Sequence, residues 1–129
     1  MKHILFVCIE NSNRSQMAQA FAKMYGAGRV EAYSAGSKPS GKINPKAVAA
    51  MRELGYDLSK HQSKSLNDLP DIEYDYAITM GCGDACPLVR TKHRIDWKKP
   101  DPRDMDEIAF REVRDLIATN VKKLVDAGL

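Results

Sequence analysis

The hydrophobic positions of the chain alternate between short runs typical of buried strands and longer stretches with helical spacing. The strand-like runs cover residues 4–7, 29–34, 74–80 and 94–97, and the helical stretches cover 16–25, a segment beginning at 44, and 106–126. Strands that alternate with helices predict parallel strands joined by right-handed crossovers. We therefore expect an α/β fold in three layers, with a central four-stranded parallel sheet between helices.

The predicted helices carry their own start and stop signals. Asn44 and Pro45 suit the cap and the first residue of the second helix, and Gly55 suits its end. The positions predicted to be buried are Met17, Phe21 and Met24 in the first helix, Ala47, Met51 and Leu54 in the second, and Phe110, Val113, Ile117, Val121 and Leu124 in the third.

Composition narrows the class of protein. A chain of 129 residues with 43% hydrophobic and 29% charged content predicts one soluble domain, spanning residues 1–129. No secretory signal opens the chain, and no run approaches the roughly 20 apolar residues of a membrane span. We expect a cytoplasmic protein with no membrane association. The net charge of +3 is scattered, which argues against nucleic acid as a partner.

The most informative chemistry follows the first strand, where Cys8 precedes a loop that enters a helix. Backbone N–H groups in such a loop can curl around one point at the positive end of the helix dipole, and such a cup binds a tetrahedral oxyanion. The residues predicted to bind the oxyanion are Ile9, Glu10, Asn11, Ser12, Asn13 and Arg14.

Three residues around this cup have predicted catalytic roles. The planar donor fork of Arg14 can hold two anion oxygens at once. The helix dipole and this guanidinium favour the thiolate form of Cys8, and the Ser15 hydroxyl is placed to donate to the sulfur. Cys8 could instead be an unreactive cysteine at the end of a buried strand. The coincidence of C-x5-R-S with strand, loop and helix favours the nucleophile.

Two further thiols and one acid follow later strands. Cys82 and Cys86 come after the third strand, and Asp101 follows the fourth. Because ligands of parallel sheets bind at the carboxyl ends of the strands, we expect Cys82 and Asp101 to face the crevice that holds Cys8. Cys82 and Cys86 could also be incidental thiols or half of a metal site with His61 or His93. Zinc sites favour closer cysteine spacing and a second pair, so we predict no metal.

Several motifs together resemble the low-molecular-weight tyrosine phosphatase superfamily, and within it the thioredoxin-coupled arsenate reductases. They are Cys8-x5-Arg14-Ser15-Gln16-Met17-Ala18, Ser34-Ala35-Gly36, Asn44-Pro45-x-Ala47-Val48, Ser59-x-His61-x-Ser63, Met80-Gly81-Cys82-Gly83-Asp84-Ala85-Cys86-Pro87 and Asp101-Pro102. The resemblance covers nearly the whole chain. The anion loop and Asp-Pro belong to the whole superfamily, whereas the cysteine loop separates reductase from phosphatase.

The resemblance implies a low-molecular-weight phosphatase-like fold and the reduction of arsenate, with phosphate or sulfate as analogues. Cys8 would attack arsenic while Asp101 protonates the departing oxygen, and Cys82 and Cys86 would complete a disulfide relay recycled by thioredoxin. It implies no cofactor, and we expect a monomer. The alternative is a phosphatase-like phosphate ester hydrolase, which needs neither extra thiol. The sequence leaves open whether glutaredoxin or another thiol replaces thioredoxin.

Departures from the family pattern set further expectations. Glu10 stands where the family usually has glycine, and Asn13 where it has a second cysteine. We expect the Glu10 side chain to point outward, and Asn11 to accept left-handed backbone geometry. Lys64 is either a surface lysine or an ammonium that replaces the potassium ion of some relatives. His61 is more often a surface histidine than a ligand.

Overall fold

The computed structural model describes residues 2–80, 89–97 and 105–127. Its strands are β1 (Lys2–Cys8), β2 (Val30–Gly36), β3 (Tyr74–Thr79) and β4 (Thr91–Asp96), and its helices are α1 (Arg14–Tyr25), α2 (Pro45–Arg52) and α3 (Glu107–Asp126). Two single-turn 3₁₀ helices, Leu58–Lys60 and Leu66–Asp68, lie between α2 and β3. Within these ranges, no helix combines the length and the apolar character needed to cross a bilayer.

The four strands form one parallel sheet in the order β2-β1-β3-β4. This arrangement confirms the predicted α/β class and its central four-stranded parallel sheet. In the register of the sheet, Cys8 pairs with Gly36, and Val7 pairs with Thr79. The carboxyl ends of β1, β2 and β3 therefore meet at one edge of the sheet, directly before the loop that follows Cys8.

The two faces of the sheet are covered differently. Ile4, Phe6 and Cys8 point to the face on which α1 and α3 pack, and α2 contacts α3 beside them. Leu5 and Val7 point to the opposite face. In the described part of the chain this second face is covered by the 3₁₀ turn Leu66–Asp68 and its apolar neighbours rather than by a long helix. β1 is thus buried on both faces and paired on both edges.

Two residues predicted to be buried are exposed. Met24 is 37% exposed, because Tyr25 stacks on Phe21 and covers that end of the α1 stripe instead. Leu54 is 42% exposed, because α2 ends at Arg52 and helical spacing no longer sets the direction of the side chain. The predicted fourth strand also began too late, because β4 begins at Thr91 rather than at residue 94.

Arg114 is buried among the apolar residues of α3, a position that hydrophobic spacing alone does not reveal. Its Nη1 donates to the carbonyl oxygen of Ala50 at 2.8 Å and to Glu53 Oε1 at 2.7 Å. Hydrogen bonds from Arg111 and Arg114 lower the pKa of Glu53 below its usual value. The guanidinium therefore ties α3 to the end of α2.

Gly36 lets the end of β2 lie directly against the loop after β1. A Cβ atom at this position would lie 2.4 Å from the Ile9 carbonyl oxygen and 2.9 Å from that of Cys8. Both neighbours are backbone atoms, which cannot move aside by changing rotamer. The Gly36 N–H also donates to the Lys64 carbonyl at 2.8 Å. Because Gly36 has no side chain, β2 and the anion loop can lie this close together.

We predict that Gly36→Ala lowers the free energy of unfolding by about 1–3 kcal/mol, because the added methyl group overpacks a rigid contact. Urea unfolding measures the change. Ser37→Ala, at the exposed next residue, is the matched control and should stay within about 0.5 kcal/mol of wild type. Equal stability of the two variants would show that the loop can retreat from β2 at little cost.

Candidate active site

The loop between β1 and α1 is held by hydrogen bonds that its carbonyl oxygens accept. The N–H groups of Lys38, Ser40 and Asn44 donate to the oxygens of Ile9, Glu10 and Ser12, at 2.8, 3.0 and 2.9 Å respectively. A trans peptide places its N–H opposite its C=O. The N–H groups of residues 10, 11 and 13 therefore face away from these partners. This is the orientation that the predicted oxyanion cup requires.

The loop surrounds an open pocket of about 260 Å³. Its lining residues are Cys8, Ile9, Glu10, Ser12, Asn13, Arg14 and Lys38. Glu10 is half-buried and belongs to this lining, so a negatively charged residue borders the pocket. Five of the six residues predicted to bind an oxyanion thus contribute to one pocket, and the sixth, Asn11, is fully buried behind it.

Cys8 ends β1 at the floor of this pocket, with 3% of its surface exposed. Its Sγ lies 2.9 Å from Ser15 Oγ. Asn11 Nδ2 donates to the same Ser15 oxygen at 2.8 Å. Because Ser15 accepts from Asn11, its own hydroxyl hydrogen is available for the sulfur. The sulfur also lies before the first residue of α1, where the helix dipole is positive.

Asn11 fixes the bend of the loop. Its φ is 51°, and it is the one residue other than glycine with a positive φ in the described ranges. Asparagine tolerates this left-handed conformation better than most residues. Its Oδ1 accepts from Gln16 Nε2 at 2.8 Å and from the Lys64 N–H at 2.7 Å. The left-handed geometry expected of Asn11 is confirmed.

A series of hydrogen-bonded side chains continues from Asn11 away from the pocket. Because the Gln16 amide nitrogen donates to Asn11, its oxygen is the acceptor for His61 Nδ1 at 2.9 Å. A neutral imidazole that donates through Nδ1 accepts through Nε2, which here contacts the Tyr56 hydroxyl. In this series of hydrogen bonds, from Tyr56 to Ser15, each side chain therefore donates to the next one on the way to Cys8.

His61 is half-buried in this network, whereas the sequence favoured a surface histidine. Burial lowers the pKa of His61 to about 4, and the charges of Lys23 and Lys64 act in the same direction. The ring is therefore neutral near pH 7, as the hydrogen-bond pattern requires. The motif Ser59-x-His61-x-Ser63 pointed to this segment, but no signal in the sequence pointed to Gln16 or Tyr56 as its partners.

Arg14 connects the pocket to β3. The side chain is only 8% exposed, and its Nη1 donates to the Met80 carbonyl oxygen at 2.6 Å. This bond holds the planar guanidinium at the carboxyl end of the sheet, where it lines the pocket. The first residue of α1 and the end of β3 are thus joined at the site.

The remaining predicted residues divide into two groups. Lys64 braces the loop through its backbone N–H and carbonyl, while its side chain is exposed, which favours the surface-lysine interpretation. Cys82, Cys86 and Asp101 lie outside the described residues. In the ranges that are described, no cluster of three His, Cys, Asp or Glu side chains could hold a metal ion.

Comparison with known proteins gives a consistent result along the whole chain. The family model of the low molecular weight phosphotyrosine protein phosphatases matches residues 3–128. A glutaredoxin arsenate reductase of Synechocystis sp. is 38% identical over 128 residues, which cover 97% of each chain. An arsenate reductase of Halalkalibacterium halodurans is 37% identical and aligns with 98% of this chain and 97% of its own.

Solved structures show the same likeness in three dimensions. An arsenate reductase in its phosphate-binding state superposes with a TM-score of 0.90 at 37% identity, covering 98% of both chains. A thioredoxin-dependent arsenate reductase of Corynebacterium glutamicum superposes with a TM-score of 0.79 at 32% identity, covering all of this chain and 64% of that one.

We predict that His61 makes folding stability depend on pH between about 4 and 6.5. In that window the unfolded chain binds a proton that the folded protein excludes, so stability falls as the pH falls. The slope contributed is at most about 1.4 kcal/mol per pH unit. Urea unfolding of His61→Gln should show a shallower slope, whereas His93→Gln, at an exposed histidine, should keep it. An unchanged slope in His61→Gln would contradict the buried neutral ring.

Proposed function

Because this chain belongs to the low molecular weight phosphotyrosine protein phosphatase family, we propose that it reduces arsenate to arsenite. The observation that carries the proposal is its likeness, over nearly its full length, to arsenate reductases that are 37–38% identical. Residues 1–129 would act as one domain. The relative in a phosphate-binding state supports an anion site of the kind that the described pocket offers.

In the first step, arsenate occupies the pocket and meets the N–H groups of the loop and the Arg14 guanidinium. The Cys8 thiolate, which the Ser15 hydroxyl and the helix dipole stabilise, attacks arsenic. One oxygen leaves as water after taking a proton from Asp101, the proposed general acid. The product is a covalent adduct with a bond between Cys8 sulfur and arsenic(V).

In the second step, the Cys82 thiolate attacks the sulfur of Cys8. A disulfide forms between them, and the electron pair of the sulfur–arsenic bond stays on arsenic. Arsenic is thereby reduced by two electrons to arsenite, while two thiols are oxidised. Cys86 then attacks Cys82, which releases Cys8 and leaves a Cys82–Cys86 disulfide. A dithiol donor reduces that disulfide and returns the enzyme to its starting state.

The burial of Cys8 supports a relay of this kind. With 3% of its surface exposed, Cys8 offers a protein reductant little access to a disulfide formed there. Thiol–disulfide exchange requires direct approach to a sulfur atom. A second pair of thiols would carry the oxidising equivalents from the pocket to a position that the reductant can reach. Cys82 and Cys86 suit this role, whereas the hydrolysis of a phosphate ester needs no such transfer.

The electron donor is a separate part of the proposal. We propose thioredoxin, because the solved Corynebacterium relative is a thioredoxin-dependent arsenate reductase. The Synechocystis relative is instead a glutaredoxin arsenate reductase, so glutaredoxin with glutathione is the alternative donor. We also propose that the protein acts as a cytoplasmic monomer with no cofactor, no metal and no nucleic-acid partner.

The first test compares two reactions catalysed by the same protein. We expect arsenate to drive the oxidation of thioredoxin at least about tenfold faster than an aryl phosphate is hydrolysed, because Arg103-Asp104 follow Pro102 where related phosphatases carry aromatic residues. Cys8→Ser should reduce turnover by more than about 10³-fold while the protein still folds, since an alcohol is a poor nucleophile near neutral pH. Faster ester hydrolysis would favour the phosphatase alternative.

The second test isolates the relay. Cys86→Ser should release one arsenite per enzyme and then stop with a Cys8–Cys82 disulfide, because no third thiol can free Cys8. Cys82→Ser, the matched control, should release none. Peptide mass mapping after one turnover without reductant identifies the disulfides, and wild type should contain Cys82–Cys86. Normal cycling of Cys86→Ser with thioredoxin would contradict the three-cysteine relay and favour a two-cysteine route with glutathione.

A further inference from the structure

The pocket contains a positive charge that comes from outside the C-x5-R-S loop. Lys38 follows the end of β2 and lines the same pocket as Cys8 and Arg14. Its side chain is exposed, and no ion pair joins it to an acid in the described parts of the chain. The backbone N–H of Lys38 donates to the Ile9 carbonyl at 2.8 Å. Lys38 is therefore fixed to the loop while its ammonium group stays available.

The negative charge of Glu10 in the same lining is one that Lys38 can offset. Besides the Cys8 thiol, the ionisable side chains among the lining residues are Glu10, Arg14 and Lys38. The negative charge of Glu10 opposes the positive charge of Arg14. Lys38 adds a second cation to the guanidinium and the backbone N–H groups that attract an anion, and it also helps to offset the charge of Cys8 when Cys8 is a thiolate.

We propose that Lys38 is a further anion-binding residue of this pocket, and that it offsets Glu10 so that the loop can bind a doubly charged tetrahedral oxyanion. The inference rests on the proposed function only in taking arsenate as the physiological anion. A fixed positive charge attracts a dianion twice as strongly as a monoanion at the same distance. Lys38 would therefore favour the dianionic forms of arsenate and phosphate.

The local chain geometry suits this role. Residue 39 is proline, which confines the preceding residue to extended conformations. The backbone of Lys38 is thus restricted from both sides, by Pro39 and by its hydrogen bond to Ile9. A flexible stem carrying a point charge can follow an anion into the pocket without the fixed fork that arginine needs. A change of side chain at Lys38 leaves the backbone contact to the loop in place.

The test measures the binding of inorganic phosphate to the reduced protein by calorimetry, so that no turnover is needed. We expect Lys38→Met to raise the Kd for phosphate about three- to tenfold, and Lys38→Glu to raise it further. Lys38→Arg keeps the charge and should stay within about twofold of wild type. The loss in Lys38→Met should shrink as salt is added, because an exposed charge is screened.

Two further variants separate this role from a structural one. Lys42→Met changes an exposed lysine of the same segment that does not line the pocket, and it should leave the phosphate Kd unchanged. In Glu10→Gln/Lys38→Met, affinity should return toward wild type, since both charges are removed together. A structural defect would lower the melting temperature and would not be rescued by Glu10→Gln.

The outcomes distinguish this inference from the proposed function. Equal phosphate affinities for Lys38→Met and Lys42→Met overturn the role of Lys38 and leave arsenate reduction intact. Charge-dependent phosphate binding without arsenate reduction supports Lys38 and overturns the proposed function. If wild type does not bind phosphate, the pocket is not an anion site and both proposals fail. In active protein, Lys38→Met should raise KM for arsenate more than it lowers kcat.

Discussion

The left-handed bend at Asn11 is the constraint on which the pocket depends. Such a conformation costs a residue with a side chain about 1–2 kcal/mol. The Asn11 side chain makes three hydrogen bonds, with Ser15, Gln16 and Lys64. At about 0.5–1.5 kcal/mol each, these bonds together outweigh the strain. The loop therefore keeps a shape that its backbone alone would not hold, and the same side chain connects that shape to Cys8 through Ser15.

The site belongs to the whole carboxyl edge of the sheet rather than to one loop. The residues after β2 hold the loop carbonyls, Gly36 sets the spacing, and the carbonyl of Met80 orients Arg14. Each contact joins segments that are far apart in sequence. The parallel order brings them together, because it places the ends of three strands side by side. The geometry of the pocket and the stability of the fold are therefore not separable.

The sequence could predict those features of the structure that leave a periodic or local pattern of residues. Hydrophobic spacing predicted the strands, the helices and the parallel sheet, and C-x5-R-S predicted where the pocket lies. Contacts between polar side chains distant in sequence leave no period, so the links from Gln16 to His61 and from Arg114 to Glu53 were missed. Spacing also placed Met24 and Leu54 in the core, because it does not register where a helix ends or which neighbour covers it. The roles of Cys82, Cys86 and Asp101 stay predictions.

The outward-facing carbonyls of the loop have a consequence for how freely its sequence can vary. Apart from the Arg14 guanidinium, the donors that the loop turns toward the pocket are backbone groups, and these are the same whichever side chains the loop carries. Glutamate at position 10 and asparagine at position 13 keep the N–H group that glycine or cysteine would supply. Only proline removes a donor outright. The loop can therefore change its side chains over evolutionary time and keep the same backbone donors, while charged side chains such as Glu10 alter only the electrostatic field around them.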